Sequence, residues 1–321
     1  MPSQFRAWAQ LVRIPNTLTA CADVFAGFTL AAGGWWLLSG IVGSLVACAA
    51  ASVCLYWAGM VLNDVNDVVV DTAQRRNGPL VRGIISVETA RVAGWGLLVT
   101  GIALAALSAY VLPSTDQSAP RWIVGATAGV LAASIVAYDS WLKATLIGPL
   151  LMGLCRAFNL LLGFSLGSCL EWQNELDWYS LAIATVGHFS FVVGITLAAR
   201  REGLLQQSSV RLAWSWASSV FGVIAIALCS AWSINRPLRL DPTGLFPILV
   251  FLLALPWLRR AVVSIQSPGV ATLVPAIKQA ILTIIFLDAA IALQFGGNLP
   301  GIMVCSLAIP TLALSRIFRV T

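Results

Sequence analysis

Residues 41–62 read IVGSLVACAAASVCLYWAGMVL, and residues 63–71 continue NDVNDVVVD. The first 22 residues carry no formal charge, and about 20 apolar residues are enough for a helix to cross the bilayer hydrocarbon. The polar segment behind it places Asp64, Asp67 and Asp71 at i, i+3 and i+7. On a continuing helix these positions share one face, a carboxylate stripe roughly 10 Å long. A lipid-crossing helix ending in clustered acids is the pattern from which fold and chemistry are read.

Outward from this stretch the apolar theme repeats. Of the 321 residues, 59% are hydrophobic and only 10% charged, against about 25% charged in a soluble domain. With a mean hydropathy of +0.88, a water-soluble enzyme is excluded. Apolar runs lie near residues 18–38, 41–62, 92–112, 122–138, 144–166, 178–199, 212–232, 243–258, 279–296 and 299–315. They predict an all-α transmembrane bundle of nine or ten helices, 1–321 forming a single domain. No segment alternates as a membrane barrel requires, and runs of this length satisfy their backbone internally only as helices. Arg6 and Arg13 ahead of the first run resemble a signal peptide, but that run is long and contains Asp23, so it reads as a retained span.

The formal charge of +6 comes from 19 Lys and Arg against 13 Asp and Glu. With a cytoplasmic amino terminus, 15 basic residues fall on the inner side and only Arg121, Arg236 and Arg239 on the outer, Arg156 lying within a span. That asymmetry predicts the orientation and accounts for the basic balance without nucleic acid. The longest polar inner loops, 63–91 and 200–211, place function on that face. Seven scattered cysteines lack metal or disulfide spacing and read as small buried residues. Trp35, Trp36, Trp57, Trp122, Trp141, Trp172 and Trp178 lie near span ends, as interfacial anchors do.

Three adjacent carboxylates repel unless a cation neutralises them. Oxygen-only ligands favour Mg²⁺, which accepts phosphate oxygens as further ligands. Arg75, Arg76 and Arg82 follow at once, and the planar fork of arginine suits diphosphate oxygens. The alternative is a solvated helix end whose acids pair with those arginines.

The pattern Asn63, Asp64, Asp67, Asp71, followed by Pro79-Leu80-Val81-Arg82-Gly83, resembles the UbiA superfamily of intramembrane prenyltransferases. Leu11-Val12-Arg13-Ile14-Pro15-Asn16, Tyr138-Asp139-Ser140-Trp141-Leu142-Lys143 and Cys155-Arg156-Ala157-Phe158-Asn159-Leu160-Leu161-Leu162-Gly163 agree in order. The resemblance implies a helical bundle around a central cavity, Mg²⁺, a prenyl diphosphate donor and a hydrophobic, often aromatic, acceptor. It implies that Asp64, Asp67 and Asp71 hold the metal and, with Lys143, serve catalysis. Asn63, Arg75 and Lys143 would meet the diphosphate, and Asn16, Asp23, Arg156 and Asn159 would line the cavity. Tyr138 and Asp139 are candidates for the acceptor's base.

One departure stands out. The superfamily's second aspartate-rich motif is replaced by Gly194-Ile195-Thr196-Leu197-Ala198-Ala199-Arg200-Arg201-Glu202, a stretch resembling the EboC-like branch. Arg200 and Arg201 then either take over diphosphate binding from a second metal, or mark a chain that binds or transports a lipid-like molecule without bond making. Lone His188 is expected to pack against neighbours, and Asp288 to be paired.

Overall fold

The computed structural model describes residues 4–34, 40–74, 77–113, 120–143, 145–170, 177–200, 208–233 and 237–318, except for the side chain of residue 141. A surface helix α1 (Gln4–Leu11) leads through a 3-10 turn (Ile14–Asn16) into α2 (Thr17–Ala32). Then come α3 (Val42–Ala73), α4 (Val87–Val111), α5 (Trp122–Ala137), a π-helical turn (Tyr138–Leu142) and α6 (Gly148–Ser168). The chain continues as α7 (Trp178–Ala199), α8 (Ser209–Leu228), α9 (Leu245–Gln266), α10 (Val270–Gly296), α11 (Asn298–Ser306) and α12 (Ala308–Ile317).

Among the described residues, nine helical segments are long and apolar enough to cross a membrane, α11 and α12 counting together as one. The tenth expected span is α2. It stops at Ala32, where Gly33 at φ +65° takes a backbone conformation that side-chain-bearing residues resist. The last apolar run, expected as one helix, is interrupted at Leu307, a residue that itself keeps helical dihedrals. α10 begins nine residues earlier than its apolar run suggested, taking in Pro275 and Lys278.

Neighbours along the chain pack together: α3 on α4, α7 on α8 and α9 on α10, with α2 against α6, α10 and α3. The apolar core falls into two large clusters, one on α3, α4 and α5, the other on α7 to α10. Both draw on α2 and α6, which form the seam. In lipid, helices associate through close packing rather than water exclusion, and small residues set how near they come. At the seam a Cβ on Gly27 would lie 1.9 Å from Leu160 O, and one on Gly163 2.0 Å from Val24 O. These two glycines let the α2 and α6 backbones touch.

Candidate functional site

Several helix ends meet at one end of the bundle. α3, 32 residues long, spans about 48 Å at 1.5 Å per residue, so it outruns a bilayer-crossing helix and carries NDVNDVVVD at its end, as the sequence suggested. Three aspartates in the last turns of a helix face the negative end of its dipole, an unfavourable placement unless cations stand close. Lys143, from the α5–α6 connection, pairs with the Asp67 carboxylate and donates to Asn63 Oδ1 at 2.8 Å. The Asn63 amide nitrogen lies 3.4 Å from both Asp64 Oδ1 and Asp67 Oδ2. Arg13 Nη2 approaches Asp64 Oδ1 at 3.7 Å.

Arg13, a topological charge and a member of the 11–16 motif in the sequence, had no site role assigned to it and is placed by the structure beside Asp64. It is the only non-glycine residue with positive φ among those described, at 50°. The strained elbow between α1 and the 3-10 turn aims its guanidinium back at α3, and such strain clusters at functional positions. Pro15, next but one, was a visible signal for the elbow. Beneath it, Leu11, Val12, Val61, Val65, Leu80, Ile85 and Ala90 form a small apolar floor, and Arg82 Nη2 reaches Gln10 Oε1 at 3.3 Å. Asn16 closes the 3-10 turn at the same end, its backbone carbonyl accepting from Thr19 Oγ1 at 2.7 Å.

The α5–α6 connection is itself unusual, since π-helical turns are rare and frequently mark functional sites. Tyr138 and Asp139 open this turn. Asp139 is buried, no described donor reaches its Oδ2, and Asn66 holds its backbone carbonyl at 3.2 Å. It lines a cavity of about 80 Å³ with Asn66, Arg91 and Trp95. From the end of α7, Arg200 Nη1 donates to Thr145 O at 2.6 Å, and its other nitrogen lies over Gly148 at the start of α6. The residue standing in the second motif therefore meets the segment that carries Lys143. Asp71 lies half-exposed on α3; Arg75 and Arg201 fall outside the described residues.

Arg156 and Asn159 sit elsewhere. Arg156 Nε pairs with Asp23 Oδ2 at 2.7 Å, and its Nη2 donates to Thr19 O at 2.8 Å. Asn159 donates to Asp23 Oδ2 at 2.8 Å and to Ala20 O at 2.9 Å, and accepts from Ser52 at 2.6 Å. Ser52 precedes Asp64 by 12 residues on α3, a rise of about 18 Å, so this network lies deep in the bundle. His188, expected to pack against neighbours, is buried and meets the Asp288 carboxylate at 2.8 Å. The pairing expected for Asp288 is thus present, with His188 as partner.

Asp64, Asp67, Asp71 and the amide oxygen of Asn63 offer a donor set made only of oxygen, the chemistry that suits Mg²⁺. The donor chemistry suits that ion, although in this structure one oxygen from each of the three carboxylates does not come within 4.8 Å of the other two.

The curated relatives include digeranylgeranylglyceryl phosphate synthases, of Saccharolobus solfataricus at 34% identity over 108 residues and of Sulfurisphaera tokodaii at 31% over 109. Each match takes in 32% of this chain and 35% of the relative, so the chain spans about a third of the length of those proteins. Solved structures share the fold. A UbiA homolog from Archaeoglobus fulgidus bound to DMAPP and Mg²⁺ superposes with a TM-score of 0.60 at 14% identity, covering 94% of this chain and 99% of its own. One from Aeropyrum pernix K1, without ligand, gives 0.61 at 16%, covering 86% and 96%. The sequence model of the UbiA prenyltransferase family matches residues 21–272, and the chain belongs to that family of integral membrane proteins.

Proposed function

We propose that the chain transfers a prenyl group from a prenyl diphosphate to a hydrophobic acceptor inside the membrane, with Mg²⁺ as cofactor. The observation that carries this reading is the convergence of the α3 carboxylates, Lys143 and Arg200 at one end of the bundle. Asp64, Asp67 and Asp71 would hold the ion, whose positive charge would help diphosphate leave. Lys143 sits on Asp67 and Asn63, so it is placed to follow the leaving oxygen while the carboxylates turn to the ion. Asn63 keeps its neighbours in register, and Arg13 orients Asp64. Arg200, with Arg75 and Arg201, supplies the positive charge that a second aspartate motif would otherwise recruit as metal. The C1–O bond breaks with its electron pair leaving on diphosphate. The acceptor's nucleophilic atom then bonds C1 and releases a proton, for which Tyr138 and Asp139 are the candidate bases. The prenyl tail would lie among Leu, Val, Ala and Phe side chains of the bundle, in a cavity that excludes water.

We read residues 1–321 as one domain with the amino terminus and the motif end on the cytoplasmic side of a bacterial inner membrane. The names of the relatives make geranylgeranyl diphosphate the first donor to try. The replacement of the second motif by Arg200-Arg201-Glu202 favours a second reading, a non-catalytic binder or transporter of a prenylated molecule. In lipid nanodiscs with Mg²⁺, labelled geranylgeranyl diphosphate and a panel of acceptors, the enzyme releases diphosphate and Asp67→Ala abolishes release. Tight donor binding without turnover would support the transporter instead.

A further inference from the structure

α2, α7 and α10 bring three ionisable side chains together in the interior, away from the α3 carboxylates. Asp23 and Asp288 are fully buried and His188 is 2% exposed. One ligand atom from each lies within 4.8 Å of the other two. His188 Nδ1 stands 2.8 Å from Ala184 O. A carbonyl only accepts, so Nδ1 carries a proton; Nε2, 2.8 Å from Asp288 Oδ1, shares a proton with that carboxyl and would turn its lone pair to a metal that displaced it. A carbonyl on the other ring nitrogen is how metal-bound imidazoles are commonly fixed.

Two further observations point to a ligand. Among the described residues, no donor reaches Asp23 Oδ1 or Asp288 Oδ2, although both side chains are sealed from solvent. A proton passed between these carboxyls is all they can share with one another. The charges are also unequal. Asp23 and Asp288 bring two negative charges and Arg156, 2.7 Å from Asp23 Oδ2, brings one positive, so with a neutral His188 one negative charge is in excess. A net negative charge in the bilayer interior requires a proton or a cation.

We propose that Asp23, His188 and Asp288 form a second metal site, for a borderline divalent transition metal of the Zn²⁺ or Co²⁺ type. An imidazole ligand selects against Mg²⁺, which prefers oxygen alone. Ligand atoms about 2.0 Å from Zn²⁺ sit near 3.3 Å from one another in a tetrahedron, a modest contraction of the present cluster. Three protein ligands leave one position, and a small anion there brings metal, carboxylates and Arg156 to neutrality. Access is provided by α2 itself. Asn16, Thr19 and Asp23 follow at i, i+3 and i+7, a polar stripe from the motif end inward, with Arg156 Nη1 on Thr19 Oγ1 at 3.3 Å. This site does not depend on the prenyl-transfer reading.

Protein in nanodiscs, purified in Mg²⁺ buffer free of transition metals, is incubated with Zn²⁺ or Co²⁺ and desalted. Elemental analysis then finds one transition metal per chain, retained against excess Mg²⁺, and the Co²⁺ form shows the intense visible bands of tetrahedral coordination. The metal persists in Asp64→Asn/Asp67→Asn and is lost in Asp288→Asn and in the uncharged His188→Gln. Wild-type protein with substoichiometric metal and no visible bands would overturn the proposal and leave a shared proton as the neutralising species. Metal lost with Asp64→Asn/Asp67→Asn but kept in His188→Gln would equally overturn it. Failure of either kind leaves the diphosphate-release assay unaffected, so the two readings are judged separately.

Discussion

Substituting Gly27 by alanine tests whether the α2–α6 seam organises the molecule. The added methyl would start 1.9 Å from Leu160 O and 2.9 Å from Phe164 N. Carbon and carbonyl oxygen settle no closer than about 3.3 Å, so the backbones must part by roughly 1.4 Å, because the obstructing atoms are main chain and cannot rotate away. Gaps of 0.5–1 Å already forfeit about a quarter to a half of each dispersion contact, and overpacking of this kind costs about 1–3 kcal/mol. The Asn159 bonds to Asp23 and Ala20, now 2.8 and 2.9 Å, would stretch past 4 Å. Each buried group left without a partner adds about 1–3 kcal/mol. The sum is about 4 kcal/mol or more, equivalent to roughly 10 °C in melting temperature for a chain of this size. Buried Cys48, Cys169 and Cys229 report unfolding in detergent through a thiol-reactive fluorophore. Gly96→Ala, with open space at its Cβ position, controls for helix propensity and melts at or slightly above wild type, alanine being favoured by about 1 kcal/mol. If Gly27→Ala melts with the control, the seam is not the close contact described.

Other substitutions probe the site and its supports. Gly148→Ala places a Cβ 2.0 Å from Arg200 Nη2 and 2.7 Å from Lys143 O; donor affinity falls about tenfold or more while the protein remains monodisperse, as donor titration would show. Arg13→Ala removes the cation beside Asp64 and raises the Mg²⁺ concentration needed for half-maximal diphosphate release, with no change in melting beyond about 1 kcal/mol. Arg156→Met strands the Asp23 carboxylate and destabilises by about 3–5 kcal/mol, whereas Asp23→Leu/Arg156→Met recovers most of that loss in the same melting assay.

The helices and the carboxylate stripe were legible because both signals are local: length of an apolar run, and spacing along one helix. Lys143 and Arg200 were legible as motif residues, but their meeting at the α5–α6 connection depends on how α7 packs. Arg13 was hidden in plain sight, since a basic residue before a span reads first as a topology signal. The His188–Asp288 contact could not be read at all. Its members are 100 residues apart, and each alone is an isolated polar group in an apolar run. The end of α2 was misplaced for a related reason, because the apolar pattern continues through Gly33 and Gly34, where the backbone turns.

The brevity of α2 bears on biogenesis. Sixteen residues reach only about 24 Å, short of the roughly 30 Å hydrocarbon layer, and Asp23 adds about 2.5–3.5 kcal/mol to its insertion near the helix centre. Emerging from the ribosome, this segment is a poor client for the translocon. The partners of Asp23 arrive only with α6, more than 120 residues later, and Asp288 with α10, more than 240 later. α2 is therefore among the last helices to be fully secured, held until then by the longer α3, whose Ser52 and Trp57 reach Ala20 O and Thr17 Oγ1. Nascent chains halted before Arg156 should leave their amino-terminal segment extractable from the membrane, and those released after Asp288 should not.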